Sequence, residues 1–257
     1  MLRTGHAGCA LCFSTVMATY RVGCAGWAIP KAHRLEFAVE GSHLERYAAR
    51  FPAVEINSSF YRPHQPATYA RWAESTPAGF RFSVKTPRAI THEQRLVAAD
   101  VLLDVFLQEV SCLGSKLGCL LVQLPPSLAY DRPLAESFLA DLRARYEGPV
   151  VIEPRHRSWF ATTVSAQLLA YHVGQVAADP ACVPAAAEPA GWQELIYIRL
   201  HGSPEIYYSA YDERYLDHLA DRMRSYAALA DEVWCIFDNT ARFAATPNAI
   251  ALIDRLG

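Results

Sequence analysis

No run of about 18 or more residues in this sequence is both apolar and free of charge, so no membrane-spanning helix is expected. A basic surplus is also missing. The formal net charge is -2, which argues against a general nucleic-acid binder and leaves only a local basic patch to support one. Phosphate-binding loops are absent: Gly23-Cys24-Ala25-Gly26 does not continue as G-x-G-x-x-G into a helix, and there is no P-loop. Nor is there a G-x-S-x-G elbow, and Ser58, Ser59 and Ser203 lack a recognisable activation motif. Cysteines are not arranged as a disulfide framework. Cys9, Cys12, Cys24, Cys112, Cys119, Cys182 and Cys235 are odd in number and scattered, as in a reduced cytoplasmic protein. Cys24 becomes a thiolate only if a cation lowers its pKa; core packing is the alternative.

What remains is a chain of 257 residues, 52% hydrophobic and 19% charged, long enough for one large domain. Residues 1–19 are expected to form a disordered extension, with Met17 as a natural start. His6, Cys9 and Cys12 imitate a metal site but lack a second ligand pair. From residue 20 to 257 strand-like and helix-like segments alternate. The strands are expected at Tyr20–Trp27, Ala53–Phe60, Phe80–Arg88, Cys119–Pro125, Pro149–Arg155, Gln175–Asp179, Leu195–Gly202 and Glu232–Thr240. Helices are expected after a capping box at Ser42–Glu45 and at Ala67–Ser75, Asp100–Leu117, Pro133–Tyr146, Ala161–Val173, Asp212–Leu229 and Pro247–Leu256. Pro180–Trp192 reads as a loop. Eight strands with these connections predict a single α/β domain, a (β/α)8 TIM barrel of parallel strands; a doubly wound open sheet is the competing architecture.

Several of these strands run apolar and then end in charge. Alternation sends successive side chains to opposite faces. In Leu195–Gly202, Ile196, Ile198 and Leu200 suit the helix layer, which leaves Tyr197, Arg199 and His201 for the barrel interior. The same parity places Glu55 with Asn57, Arg81 with Ser83 and Lys85, and Glu153 with Arg155 inside; Gln123 and Asp179 are expected to continue the pattern. Unpaired buried charge costs several kcal/mol per ion, so these groups must pair, bind a polar ligand or stand in water at the mouth. A self-satisfied network, for example Glu153 with Arg199, is the competing account.

Glu153 is the first choice for a general acid or base, its pKa expected to move toward neutrality by desolvation. His201 is a proton shuttle near neutral pH, and Glu55 a further carboxylate. Lys85, Arg88, Arg155 and Arg199 form a cationic group suited to phosphate or carboxylate. Trp27, Tyr61 and Trp159 follow strand ends where they could stack on a sugar or base, though single aromatics there more often pack. His92 lies within reach after the third strand, and His156, Asp238 and Asn239 are weaker candidates. No cofactor is expected. If a divalent metal binds, Glu153, Asp179, His201 and Asp238 are its ligands, but nearby cations compete for the carboxylates.

Taken in order, Gly23–Trp27, Val54–Tyr61, Phe80–Arg88 with Ile90-Thr91-His92, Gln123–Ser127, Glu153–Trp159, Tyr197–Gly202 and Phe237-Asp238-Asn239 make the chain resemble the domain-of-unknown-function 72 family. The resemblance implies a TIM barrel distantly similar to sugar isomerases, and brings no settled reaction. The chain departs from the family pattern at Ala28–Arg34, usually richer in aromatics, so its first loop is expected to shape a different pocket mouth. The leading expectation is an enzyme that moves protons on a small anionic substrate, a sugar phosphate or sugar acid, in an isomerase- or epimerase-type reaction. Metal-assisted phosphodiester hydrolysis on nucleic acid and non-catalytic binding of a small anion are the alternatives. The oligomeric state is left open.

Overall fold

The computed structural model describes residues 18–257. The expected extension, with His6, Cys9 and Cys12, lies outside the described residues except at its end, where Thr19 already opens the first strand. The strands are β1 (Thr19–Cys24), β2 (Ala53–Ile56), β3 (Arg81–Lys85), β4 (Leu117–Gln123), β5 (Val150–Glu153), β6 (Val173–Gln175), β7 (Ala177–Asp179), β8 (Ala190–Gly191), β9 (Leu195–Leu200) and β10 (Glu232–Phe237). The helices are α1 (His43–Ala48), α2 (Pro66–Glu74), α3 (Asp100–Val110), α4 (Arg132–Arg143), α5 (Thr162–Ala170), α6 (Glu213–Tyr226) and α7 (Ala245–Leu256).

Parallel pairing runs β2-β3-β4-β5-β6 and β7-β9-β10-β1. β6 and β7 are one extended segment that changes partner at Val176, whose N–H bonds to the Ile152 carbonyl. The ring closes between β1 and β2 through a single parallel bridge, Ala25 to Glu55. Below it the ladder is replaced by a side chain: the Tyr47 hydroxyl accepts the Cys24 N–H at 2.8 Å and donates to the Ala53 carbonyl at 3.1 Å. Gly23 permits this approach, since a Cβ there would stand 2.1 Å from the Ala53 oxygen. The result is the expected (β/α)8 barrel.

The helices begin where local chemistry caps them. Ser42 and Glu45 form the predicted capping box on α1, and Asp131 and Asp212 accept from Leu134 N and Tyr215 N at the starts of α4 and α6. The helix expected over Asp100–Leu117 stops at Val110. A 3₁₀ segment, Ser111–Lys116, follows, and Gly114 (φ 55°, ψ -133°) breaks the helical path. Pro180–Trp192 carries no sixth helix; it holds a 3₁₀ turn at Pro184–Ala187 and the short β8, antiparallel to β6. Among the described residues no helix is long and apolar enough to cross a membrane.

Two apolar bodies follow from strand parity. The larger lies between strands and helices, and the smaller fills the lower barrel with Ala53, Cys119, Leu121, Val151, Val176, Leu195, Tyr197, Trp234 and Ile236. Each large aliphatic side chain fully buried there stabilises the fold by about 1.5–3 kcal/mol. Arg21 and Glu232, paired at 2.9 Å, lie near the amino-terminal ends of β1 and β10. Arg81, expected in the interior with Lys85, is at this end too and bonds the carbonyls of Ala78 and Phe80. Above the apolar layer the interior turns polar.

Candidate active site

Arg199, from β9, is the hub. Its side chain has no solvent exposure, and water therefore cannot solvate its charge. Three carboxylates do so instead. Glu55, at the end of β2, receives a two-pronged contact, Nη2 to Oε1 at 2.8 Å and Nε to Oε2 at 3.0 Å. Asp238, just past β10, lies 3.0 Å from Nη2, and Glu153, closing β5, lies 3.2 Å from Nη1. Burial works to lower its pKa, but Asp238, Glu55 and Glu153 outweigh burial and hold it well above the ordinary arginine value. Tyr197 supports the hub from below: its hydroxyl donates to Glu55 Oε2 and accepts from Ser83 Oγ, both at 3.0 Å.

His201 sits one inward position further along β9 and is also buried. Its Nε2 is 2.7 Å from Glu153 Oε1 and its Nδ1 is 3.0 Å from Asp238 Oδ2. Carboxylates at both ring nitrogens favour the charged form of the ring, and Arg199 Nη1, 3.3 Å from Nε2, opposes it. Burial and Arg199 work against that charge, but Glu153 and the hydrogen bonds accepted by both acids raise the pKa above the usual histidine value. Arg155 Nη1 is 2.9 Å from His201 Nε2, a like-charge contact tolerated because Glu153 Oε1 lies 2.9 Å from the same guanidinium nitrogen. Gly202 follows at φ 96°. A Cβ there would crowd Ser209 O, Glu205 O and Asn239 Cβ at 3.0–3.2 Å, so the chain turns sharply into the next loop behind the histidine.

Glu153 departs from the expectation that desolvation would bring its pKa toward neutrality. Burial does push it upward, but His201, Arg199 and Arg155 outweigh burial and hold it well below the ordinary carboxylate value. Asp238 is lowered too, with burial opposing Arg199 and His201. Gln123 completes the Glu153 shell, its Nε2 donating to Oε2 at 3.1 Å.

Lys85 ends β3 and is 5% exposed. Its Nζ lies over the Phe60 ring, 4.2 Å from the centroid. Burial and then Arg199 push its amine down to about 8, with Glu55, Asp238 and Glu153 resisting. His92, beyond Phe60 at 4.9 Å between rings, is lowered by burial and then by Lys85, and its Nδ1 shares a hydrogen bond with Thr91 Oγ1. Lys85, Arg155 and Arg199 match the three carboxylates in number, and a proton on His201 adds positive charge to the mouth.

The remaining candidates fall outside this cluster to different degrees. Asn57 lies near the mouth with a buried Oδ1 that has no hydrogen-bond partner. Asn239 is buried; its Nδ2 donates to Ser209 O and Asn248 Oδ1 and fixes the loops behind the site. Arg88 is half exposed and pairs with Glu93 at 3.0 Å. Tyr61 is 69% exposed and packs edge-on against Phe60, so Phe60, not Tyr61, faces the site. Trp27 packs against Trp72 at 5.0 Å. Trp159 is a core residue, donating from Nε1 to Leu128 O and meeting Tyr130 edge-on. His156 caps the turn at Ser158. The Cys24 thiol is buried and pushed up to about 12, so no cation makes it a thiolate.

Asp179 was expected inside and is not. Val176 belongs to the inner apolar body, so Ala177 and Asp179 face the helix layer, where Asp179 Oδ1 accepts from the Tyr211 hydroxyl at 2.8 Å. The conditional metal set of Glu153, Asp179, His201 and Asp238 is therefore not brought together. Both His201 nitrogens face carboxylates, and among the described residues no group of three His, Cys, Asp or Glu side chains has metal-holding geometry. Sequence reasoning did not single out Phe60 or Tyr207. The Tyr207 ring lies 6.0 Å from that of His201, and its backbone stands at φ 70°, a feature without a sequence signature.

The family described as "Protein of unknown function DUF72" matches residues 21–257. Among curated relatives, the UPF0759 protein YecE of Escherichia coli K12 is 34% identical over 149 residues, which is 58% of this chain and 53% of that protein. The UPF0759 protein YunF of Bacillus subtilis is 26% identical over 163 residues, 58% of this chain and 55% of its own length. The chain thus spans about half the length of the curated relatives it matches. Two crystal structures share the fold. A DUF72 family protein of Enterococcus faecalis V583 has a TM-score of 0.77 at 22% identity, over 93% of this chain and 95% of that one. Another, of Thermotoga maritima MSB8, has a TM-score of 0.77 at 23% identity, over 92% and 98%.

Proposed function

The chain belongs to the DUF72 family, whose description names no activity, and on that premise we propose that it is an enzyme that binds a small anionic, sugar-like substrate at the barrel mouth and moves a proton on it, in an isomerase- or epimerase-type reaction. The observation that carries this reading is the buried His201 ring held between Glu153 and Asp238 beneath Arg155, in a mouth that also holds Lys85 and Arg199. Arg155, with 20% of its side chain exposed, offers guanidinium N–H groups beyond those spent on Glu153 and holds the anionic end of the substrate. An anion bound there draws Arg155 from His201 Nε2 and leaves that nitrogen's proton available for transfer. Glu153 and Asp238 act as positioning residues that set the charge and orientation of the ring. Glu55 is bound two-pronged to Arg199 and is fully buried, so its part is to hold the hub.

A non-catalytic anion-binding protein is the second reading, favoured by the completeness of the pairing around Arg199. The outward Asp179 adds nothing to the metal-assisted phosphodiesterase alternative. The experiment offers a panel of aldose phosphates, ketose phosphates and sugar acids in deuterated water, with thermal shift and proton NMR as readouts. The expected result is a stabilising ligand whose carbon-bound proton exchanges with solvent, with exchange lost in His201→Gln while binding persists. Binding without exchange for any ligand selects the second reading, and neither binding nor exchange refutes both.

A further inference from the structure

The chain carries only three lysines, Lys31, Lys85 and Lys116, against twenty-one arginines. Where this protein needs a permanent cation it uses arginine. In the barrel interior a lysine is set among arginines, and the two residues differ in one chemical respect: a lysine amine sheds its proton within reach of neutral pH and becomes a nucleophile, and a guanidinium does not. The other two lysines have ordinary work. Lys31 is exposed in a 3₁₀ turn. Lys116 spends its donors on the carbonyls of Ala73, Thr76 and Pro77 at the end of α2.

Lys85 is different on each count. Its side chain lies at the end of a barrel strand, where reacting groups of this fold gather. Among the described residues no carboxylate lies within ion-pair distance of its Nζ and no hydrogen bond holds it, although Glu55, Glu153 and Asp238 stand in the same interior and are all committed to Arg199. One face of the ammonium is against the Phe60 ring. Phe60 also lines a groove of about 270 Å³ with Tyr61, Pro87 and Ile90, in whose lining Lys85 takes no part. An apolar wall plus a neighbouring guanidinium is the environment that activates a lysine for covalent chemistry.

We propose that Lys85 is a nucleophile that forms an imine with the carbonyl group of a small aldehyde or ketone substrate. This rests on the reading of the mouth as a site for a small polar substrate, but not on the role of His201. The Nζ lone pair attacks the carbonyl carbon and a C–N bond forms as the C–O π pair moves to oxygen. One N–H proton passes to that oxygen to give a carbinolamine. The C–O bond then breaks, the second N–H proton leaves with the oxygen as water, and the nitrogen pair completes the C=N bond. Addition of water reverses the sequence and returns the free amine. The amine that does this faces Arg199, Glu55, Asp238 and Glu153 from the barrel interior and His92 from the loop side. A pKa of about 8 leaves Lys85 with far more free amine at neutral pH than an exposed lysine, roughly a hundredfold.

The test incubates the full chain at pH 7 with dihydroxyacetone phosphate or, in a second arm, uncharged dihydroxyacetone, each with sodium cyanoborohydride, which reduces the imine to a stable secondary amine. Tryptic peptides are then mapped by mass spectrometry. A modified Lys85 blocks cleavage and appears as the peptide Phe82–Arg88. The expected result is labelling of Lys85 about tenfold above Lys31 and Lys116, rising as pH passes through 8. Lys85→Arg, checked for wild-type melting temperature, should lose that peptide's label, and the acid-denatured chain should lose the preference. Labelling of Lys85 with dihydroxyacetone but not with its phosphate supports the imine and counts against the anion-binding reading of the mouth. Labelling of Lys85 no greater than that of Lys31 and Lys116 in both arms overturns the proposal, and leaves the proton-transfer reading to be judged by its own exchange experiment.

Discussion

Replacing Arg199 with methionine keeps roughly the length of the side chain and removes the charge that Glu55, Glu153 and Asp238 share. In the native protein that guanidinium has no exposure and meets the three acids at 2.8, 3.2 and 3.0 Å. Breaking a buried pair by deleting one partner costs about 3–5 kcal/mol, because a charge is left without compensation. Three acids are affected here, but Glu153 keeps Arg155 and His201, and Asp238 keeps His201. Glu55 keeps only the Tyr197 hydroxyl. The expected loss at pH 7 is therefore set mainly by one uncompensated acid and lies in that same range of about 3–5 kcal/mol. The pH dependence carries a sign. Glu153 and Asp238 have lowered pKa values in the folded protein; their contribution is present above the unfolded carboxylate values of about 4 and is lost as pH falls through the folded ones. Removing Arg199 forfeits part of that contribution, so the penalty should be full at pH 6–8 and shrink only below about pH 4. Urea unfolding of both proteins at several pH values measures it. A penalty below about 1 kcal/mol at pH 7, or one that grows on acidification, would refute the account of Arg199 as the hub.

Other outcomes follow from the same geometry. Tyr197→Phe removes a donor from buried Glu55 and should cost about 1.5–3 kcal/mol in urea unfolding, with the circular dichroism spectrum unchanged. His201 has a raised folded pKa, so its contribution is complete below the unfolded value of about 6.5 and is lost as pH rises through the folded value. Wild type should lose stability over that interval and His201→Gln should not; parallel profiles would sink the imidazolium assignment. A thiol reagent added to the native protein should modify exposed Cys182 readily and leave Cys24, Cys119 and Cys235 untouched until unfolding, read by peptide mapping.

Strand parity made the interior legible wherever a strand had one polar and one apolar face. In Leu195–Leu200 large aliphatics alternate with Tyr197 and Arg199, and both faces are unambiguous. The segment from Val173 to Asp179 has no such contrast. Gly174, Val176 and Ala178 on one side and Val173, Gln175 and Ala177 on the other give no hydrophobic argument for either orientation, and Asp179 was placed on the wrong face. Distances between charges also lie beyond sequence reach. Glu153 was expected to be raised by burial, and burial acts as supposed, but the number of cations that converge on it depends on how β5 and β9 meet across the ring. The tip of the β2 loop failed for a further reason. The 3₁₀ turn at Ser58–Phe60 rotates the chain off the strand alternation, which swings Phe60 inward and Tyr61 out to solvent.

The Tyr47 hydroxyl gives the barrel seam an unusual character. Elsewhere the circle is joined by repeated backbone pairs, any one of which can fail without parting the strands. Between β1 and β2 one phenol stands in for such a pair below the Ala25–Glu55 bridge. A cylinder interrupted at that point is topologically a curved sheet with two free margins, and free margins recruit strands from other molecules. Tyr47 thus does more than pack: its oxygen and the one backbone bridge at Glu55 together keep this circular sheet from having ends, beside the residue that anchors its central charge.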